Sequence, residues 1–226
     1  MFTENHIDQV RPGSTFDSYR PSTPQQAKAR SLLLEVAKQL RANVKKFAEL
    51  PPAKYGERTH SPFPKAGLVS LWGGTGTGKT HLMEALVNYQ KQAAPAVYSE
   101  ICLSRKDFTI DNMVRPNAYE GKPVVLVDDL YSKEQGLQDL SSHDIKVFME
   151  WVGAIYESRR LVILTSNFSI LGPNGIEKRV KEMDKIGRVT SRLTEMLAGA
   201  KEAHVDGPDH RLISKMSDEV SLFDEG

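Results

Sequence analysis

Residues 71–82 read LWGGTGTGKTHL, and the eight from Gly73 to Thr80 (Gly73, Gly74, Thr75, Gly76, Thr77, Gly78, Lys79, Thr80) fit G-x-x-x-x-G-K-[ST] without strain. The flanks supply the context that this motif needs. GLVSLWG at 67–73 is a short apolar run of strand type. From Lys79 to Gln92 the residues Leu82, Ala85, Leu86 and Tyr89 recur at helical spacing. Each residue type has a chemical reason. Glycines let backbone N–H groups turn inward around an anion where a side chain would collide. The helix N-terminus that follows adds partial positive charge. Lys79 is placed to neutralise β- and γ-phosphates, and the Thr80 hydroxyl to ligate Mg²⁺. His81, next in the chain, counts with the loop among the nucleotide-contacting residues. The stretch therefore predicts a site for ATP and its Mg²⁺ ion.

Two further apolar runs end in polar residues suited to hydrolysis. VVLVDDL at 124–130 places Asp128 and Asp129 at the end of a buried strand, the pattern of a Walker B motif. Asp128 is expected on Mg²⁺ and Asp129 beside the attacking water. A single aspartate at a strand end commonly caps a turn, but two adjacent carboxylates at the ligand-binding end of a parallel strand favour the catalytic reading. LVILTSN at 161–167 ends in Asn167, which can orient water between the two motifs. Arg188 and Arg192, four apart, share a helix face. Either could reach a neighbouring subunit's γ-phosphate as an arginine finger, the plain alternative being a solvated basic face.

Around these motifs the chain alternates strand and helix. AVYSEIC at 96–102 reads as a strand, His143–Ser158 as a helix, 168–200 as helical, and EAHVDG near 202–207 as a last strand. This predicts an α/β fold with a parallel sheet flanked by helices and right-handed crossovers. Upstream, Thr23 is expected as N-cap, Pro24 at the first helical position and Gln26 as the reciprocal partner of a capping box. Leu33, Ala37, Leu40, Val44 and Phe47 continue that helix as one apolar stripe. The proline-rich stretch at 51–64 reads as linker. The expected organisation is a flexible terminus at 1–15, a helix and linker at 16–66, an ATPase core at 67–212 and an acidic tail at 213–226.

Composition narrows the classes. With 30 Lys+Arg against 29 Asp+Glu, the formal charge of +1 gives no global attraction to nucleic acid or anionic lipid. A single cysteine, Cys102, excludes an internal disulfide framework. No apolar run approaches the roughly 18 residues of a membrane span. The expectation is a soluble cytoplasmic protein. His81, His143, His204 and His210 show no metal-ligand spacing.

Taken in order, TFDSYRPSTPQQ, LWGGTGTGKTHL, VVLVDDL, LVILTSN, SRLTEM and VDGPDHR resemble the branch of the AAA+ ATPases that contains the DnaC/DnaI helicase loaders and the IstB transposition ATPases. The likeness runs over about residues 15–212. It implies Lys79 and Thr80 on phosphate and Mg²⁺, Asp128 and Asp129 as the Walker B pair, Asn167 as sensor and Arg192 of SRL as the finger acting in trans. Phe16 and Tyr19 would lie near the adenine. The implied activity is ATP hydrolysis controlling self-association, with contacts to a replicative helicase or a transposase and to DNA, most simply single-stranded, near 104–120 or 178–192. The loaders' separate N-terminal domain has no counterpart in the roughly 15 residues before FDSYRPS, and a helical lid looks missing or much reduced. Near the end, Glu219, Val220, Ser221, Leu222 and Phe223 resemble a sliding-clamp docking peptide, against the plainer reading of an acidic solubilising tail. A small-molecule kinase shares the phosphate loop but not the Asn-ended strand or the SRL helix. A binding-only module would not need the Asp-Asp pair.

Overall fold

The computed structural model describes residues 10–43, 46, 63, 65–95, 101–104, 123–131, 136–198 and 202–209. In chain order these form α1 (Pro24–Ala42), β1 (Gly67–Trp72), α2 (Lys79–Ala93), β2 (Ile101–Ser104), β3 (Val124–Leu130), α3 (Ser142–Glu157), β4 (Leu161–Ser166), α4 (Ile176–Met183), α5 (Arg188–Met196) and β5 (Glu202–His204). The five strands make one sheet in the order β2-β3-β4-β1-β5, and every pairing is parallel.

The continuous apolar strands follow from burial on both faces. Val69 and Leu71 of β1 and Ile163 of β4 face one way, into a core closed by Leu33, Ala37 and Leu40 of α1 and Leu82 and Leu86 of α2. Their neighbours Leu68, Val162 and Leu164 face the other way, against Phe148, Trp151 and Val152 of α3 and Leu193 and Met196 of α5. A sheet packed on both faces leaves its strand ends as the open place for polar chemistry. β1 lies between β4 and β5, so the loop after Trp72 leaves from well inside the sheet.

The third strand has a fault that the apolar pattern conceals. Val127 pairs with Leu164 and Leu130 with Ser166, so Asp128 and Asp129 together face the single residue Thr165. This is a β-bulge: the extra residue bends the strand and re-aims its side chains. Asp129 accordingly has φ 60, a left-handed conformation that Asp tolerates better than most residues.

Two expectations for the N-terminal part are corrected. Residues 10–15 are not loose: Val10 and Ser14 are buried, and Arg11 Nε and Ser14 Oγ each donate to Glu84 Oε2 at 2.7 Å. Asn88 Nδ2 donates to the carbonyls of Arg11 and Ser14 at 2.8 and 2.7 Å. Buried polar groups on α2 thus bind the segment, because each must find a partner. The capping box is also incomplete. Thr23 Oγ1 accepts the Gln26 N–H at 3.2 Å, but Gln26 Oε1 accepts from Ser22, through its N–H at 2.7 Å and its hydroxyl at 2.9 Å. Val44 and Phe47, most of the 51–64 stretch, 105–122 and the 219–223 peptide lie outside the described residues. No helix among the described residues is long and apolar enough to cross a membrane.

Candidate functional site

Trp72 pairs with Ser166, so the phosphate loop and Asn167 leave neighbouring strands side by side, with the β3 bulge one strand further on. The sheet alone therefore brings the three motifs to one edge. Lys79, only 6% exposed, donates from Nζ to the carbonyls of Gly73 at 2.8 Å and Gly74 at 2.7 Å. Asn167 Oδ1 lies 3.5 Å from the same ammonium. Thr77 Oγ1 donates to the Gly74 carbonyl at 2.9 Å, tightening the loop from inside, and Thr75 is exposed at its tip.

Two glycines are demanded by geometry. Gly78 has φ 95, and a Cβ there would come 2.6 Å from Cε2 of Tyr19. Gly76 has φ 74, and a Cβ there would collide with the carboxylate of Asp209. Side chains at these positions would fill the concavity as well as strain the backbone.

The acidic half of the site is organised by a residue outside the sequence motifs' own polar positions. Thr165 is fully buried; its hydroxyl accepts the N–H of Asp129 at 2.8 Å and donates to Asp128 Oδ1 at 2.7 Å. Thr80 Oγ1 donates to the same Asp128 oxygen at 3.1 Å. One threonine therefore clasps both members of the bulge, and Asp128 is held within reach of the hydroxyl expected to share its cation. Thr80 and Asp128 fit a Mg²⁺ ion as hard oxygen donors, the usual partial set completed by phosphate and water. Among the described residues no group of three or more His, Cys, Asp or Glu could hold a metal by itself.

Tyr19 and His81 serve the loop from behind. The Tyr19 hydroxyl donates to the Thr77 carbonyl at 3.3 Å, and burial pushes its pKa from 10.0 up to about 12. His81 Nε2 lies 3.1 Å from both the Thr15 carbonyl and Ser18 Oγ, so it fastens the N-terminal segment to the first turn of α2. Phe16 is buried, its ring packed edge-to-face with that of Tyr89 at 6.1 Å between centroids, which helps to hold the segment. Arg192 is not brought to the loop. Its Nη2 donates to Glu157 Oε1 at 3.2 Å and its guanidinium lies 5.0 Å from the Tyr156 ring centroid, both on α3. Arg188 is more exposed and lies 3.8 Å from the same carboxylate. Asp184 supports that helix: burial pushes its carboxyl up, but the N–H and hydroxyl of Thr190, at 2.8 and 3.1 Å, together with the N–H groups of Val189 and Arg188, outweigh this and hold it below its ordinary 3.8.

No family model matches the sequence. Over 123 residues, 49% of this chain, it is 28% identical to the chromosomal replication initiator protein DnaA of Francisella tularensis subsp. novicida, and the match spans 23% of that protein. Among solved structures, domain III of the Thermotoga maritima replication initiation protein DnaA aligns with a TM-score of 0.51 and 17% identity, over 96% of this chain and 77% of that one. The replication initiator DnaA bound to AMPPCP and single-stranded DNA aligns with a TM-score of 0.51 and 15% identity, over 95% and 56%. A DnaI structure aligns at 0.46 and 16% identity, over 93% and 95%. The chain shares its fold, a parallel sheet flanked by helices, with DnaA domain III, and its sequence match spans about a quarter of the Francisella DnaA protein.

Proposed function

We propose that the chain is a Mg²⁺-dependent AAA+ ATPase that acts in DNA replication as a DnaC-like helicase loader, its subunits joined through bound nucleotide. The observation that carries the ATPase reading is the convergence at one strand edge of Lys79, Thr80, Asp128, Asp129 and Asn167. In this reading the loop N–H groups and Lys79 bind the β- and γ-phosphates, Lys79 exchanging the Gly73 and Gly74 carbonyls for phosphate oxygens. Bound to Thr80 and Asp128, Mg²⁺ supplies neutralisation of charge on the phosphate oxygens. Asp129 orients the attacking water and accepts its proton, and Asn167, close to Lys79, holds that water in line. Arg192 acts on the nucleotide of a neighbouring subunit, since its partners in its own chain are on α3 and away from its own loop.

The replication role is supported by the ordered motifs and by the sequence likeness to a replication initiator, and the fold neighbour DnaA, solved bound to AMPPCP and single-stranded DNA, agrees with it. Mass photometry of the chain with the replicative helicase of its host, with and without ATP, tests the role. A defined ATP-dependent complex, lost in Lys79→Ala, is the expected result. ATP-dependent growth on duplex DNA with no helicase complex would refute the loader assignment and favour an IstB-like regulator of a transposase. Failure of the wild-type chain to bind ATP would refute the ATPase reading itself.

A further inference from the structure

We infer that Gln26, together with Tyr19, is a positioning residue for the phosphate loop: the two side chains hold the Thr77 carbonyl so that the next peptide N–H is presented to phosphate. The inference rests on the nucleotide-binding reading above and adds how this chain shapes that site.

Gln26 is completely buried, an unusual place for an amide in the first turn of a surface helix. Its Oε1 accepts from the N–H and hydroxyl of Ser22 at 2.7 and 2.9 Å. A backbone N–H can only donate, so the atom facing it must be the amide oxygen, and the NH₂ group must face the other way. There Nε2 donates to the Thr77 carbonyl at 3.3 Å. The Tyr19 hydroxyl donates to the same oxygen, also at 3.3 Å. Behind the amide lies Gly207, where a Cβ would come within 2.5 Å of Nε2; the glycine makes room for it.

A carbonyl with two donors is fixed in direction, and the peptide unit is planar and trans, so the N–H of the following residue points opposite. The oxygen of Thr77 is drawn outward to the N-terminal segment. The N–H of Gly78 is thereby turned away from that segment and into the loop, where inward N–H groups make an anion site. Gly78, with φ 95, is free to rotate in ways that a residue with a Cβ is not. Without an outside hold on residue 77 this amide would have several orientations, and binding would have to select one.

The test is titration of wild type, Gln26→Met, Tyr19→Phe and the double variant with ATP and with inorganic tripolyphosphate, beside urea unfolding of each. Gln26→Met keeps the volume and removes both polar ends. One net hydrogen bond corresponds to about a threefold to tenfold change. Each single variant is expected to weaken ATP and tripolyphosphate alike by about that factor. Because both donors act on one oxygen, the double variant should depart from additivity, which two unrelated packing defects would not do. Single variants that bind both ligands like wild type, or losses that simply add, overturn the inference while leaving the nucleotide reading intact. If Gln26→Met does not fold, Tyr19→Phe decides alone, and undiminished affinity for tripolyphosphate overturns it. A wild-type chain that binds neither ligand refutes the nucleotide reading instead.

Discussion

Replacing Thr165 by valine exchanges one hydroxyl for a methyl group and little else, and it isolates what holds the proposed catalytic carboxylates. Thr165 is fully buried and valine has nearly its shape, so the effect of the substitution lies in the lost hydroxyl. Two bonds are lost: the acceptor for the Asp129 N–H at 2.8 Å and the donor to Asp128 Oδ1 at 2.7 Å. A backbone donor left without an acceptor costs about 1–3 kcal/mol, and a bond to a charged group contributes about 1.5–3 kcal/mol. Both aspartates are only partly buried, so water can replace some of this, and the expected loss of unfolding free energy is about 2 kcal/mol. Released from the bulge, Asp129 no longer holds a water in line, and kcat for ATP is expected to fall about ten- to a hundredfold. The affinity for ATP should change less than about threefold, because Lys79 and the glycine loop are untouched. Thr165→Ser retains both bonds and loses one buried methyl group, about 0.8 kcal/mol, with kcat near wild type. Steady-state ATPase assays and urea unfolding on the three proteins read these quantities. A valine variant as stable and as active as wild type would refute the argument that the two-against-one pairing at Thr165 sets the position of Asp129.

Arg192→Ala should keep ATP binding by a single subunit yet lose self-association-dependent turnover, read as a flat dependence of specific activity on protein concentration; a retained rise would exclude Arg192 as the finger. Arg11→Ala removes one donor to the buried Glu84 carboxylate and leaves that of Ser14 in place. Arg11 is 65% exposed, so the loss is discounted to about 0.5–1 kcal/mol, with faster proteolysis in residues 10–20 as its companion; unchanged cleavage would show that the segment is held by other contacts. Asp184 has a lowered folded pKa, so its contribution is fully present above the unfolded value of 3.8 and is lost as pH falls through the lower folded one. Asp184→Asn should therefore flatten the acid limb of the stability profile, and an unchanged limb would count against this carboxylate as its source. Asp209→Asn takes a negative charge away from Gly76 and should tighten ATP binding by about threefold at low salt; weaker binding would mean that the carboxylate assists the site.

The parts of this molecule that were legible in its sequence are those in which chemistry permits few alternatives. The phosphate loop is fixed by the need for inward N–H groups, and β1, β3 and β4 announce burial on both faces by having no polar alternation. The bulge was not legible, because VVLVDDL has the same apolar run whether or not two of its residues face one partner. Thr165 gives no separate signal, because a threonine inside LVILTSN reads as a β-branched core residue; its hydroxyl matters only once β3 is placed beside it. Gln26 did leave a signal. It falls in phase with Ala29, Leu33, Ala37 and Leu40 at helical spacing, so a polar group stands on the buried stripe of α1. Read locally it is a capping residue, and only its distant partner, the Thr77 carbonyl, shows why an amide occupies that place.

These observations bear on why a glycine-rich loop and an N-terminal segment lying roughly 60 residues before it act as one unit. Glycines give the loop its shape at the cost of self-definition: four of the eight residues from Gly73 to Thr80 have no side chain to hold them. The hold must come from outside. Lys79 and Thr77 supply part of it through the Gly73 and Gly74 carbonyls. Tyr19 and Gln26 supply the rest at Thr77, and the segment bearing them is itself pinned by Glu84, Asn88 and His81 on the helix that the loop begins. The arrangement is closed: α2 anchors the segment, and the segment orients the loop that caps α2. In such a circuit a change at any one member is expected to reach the proposed phosphate site. On the proposed reading, the FDSYRPS stretch would bear on nucleotide binding through the loop that it holds, with Phe16 buried in the core.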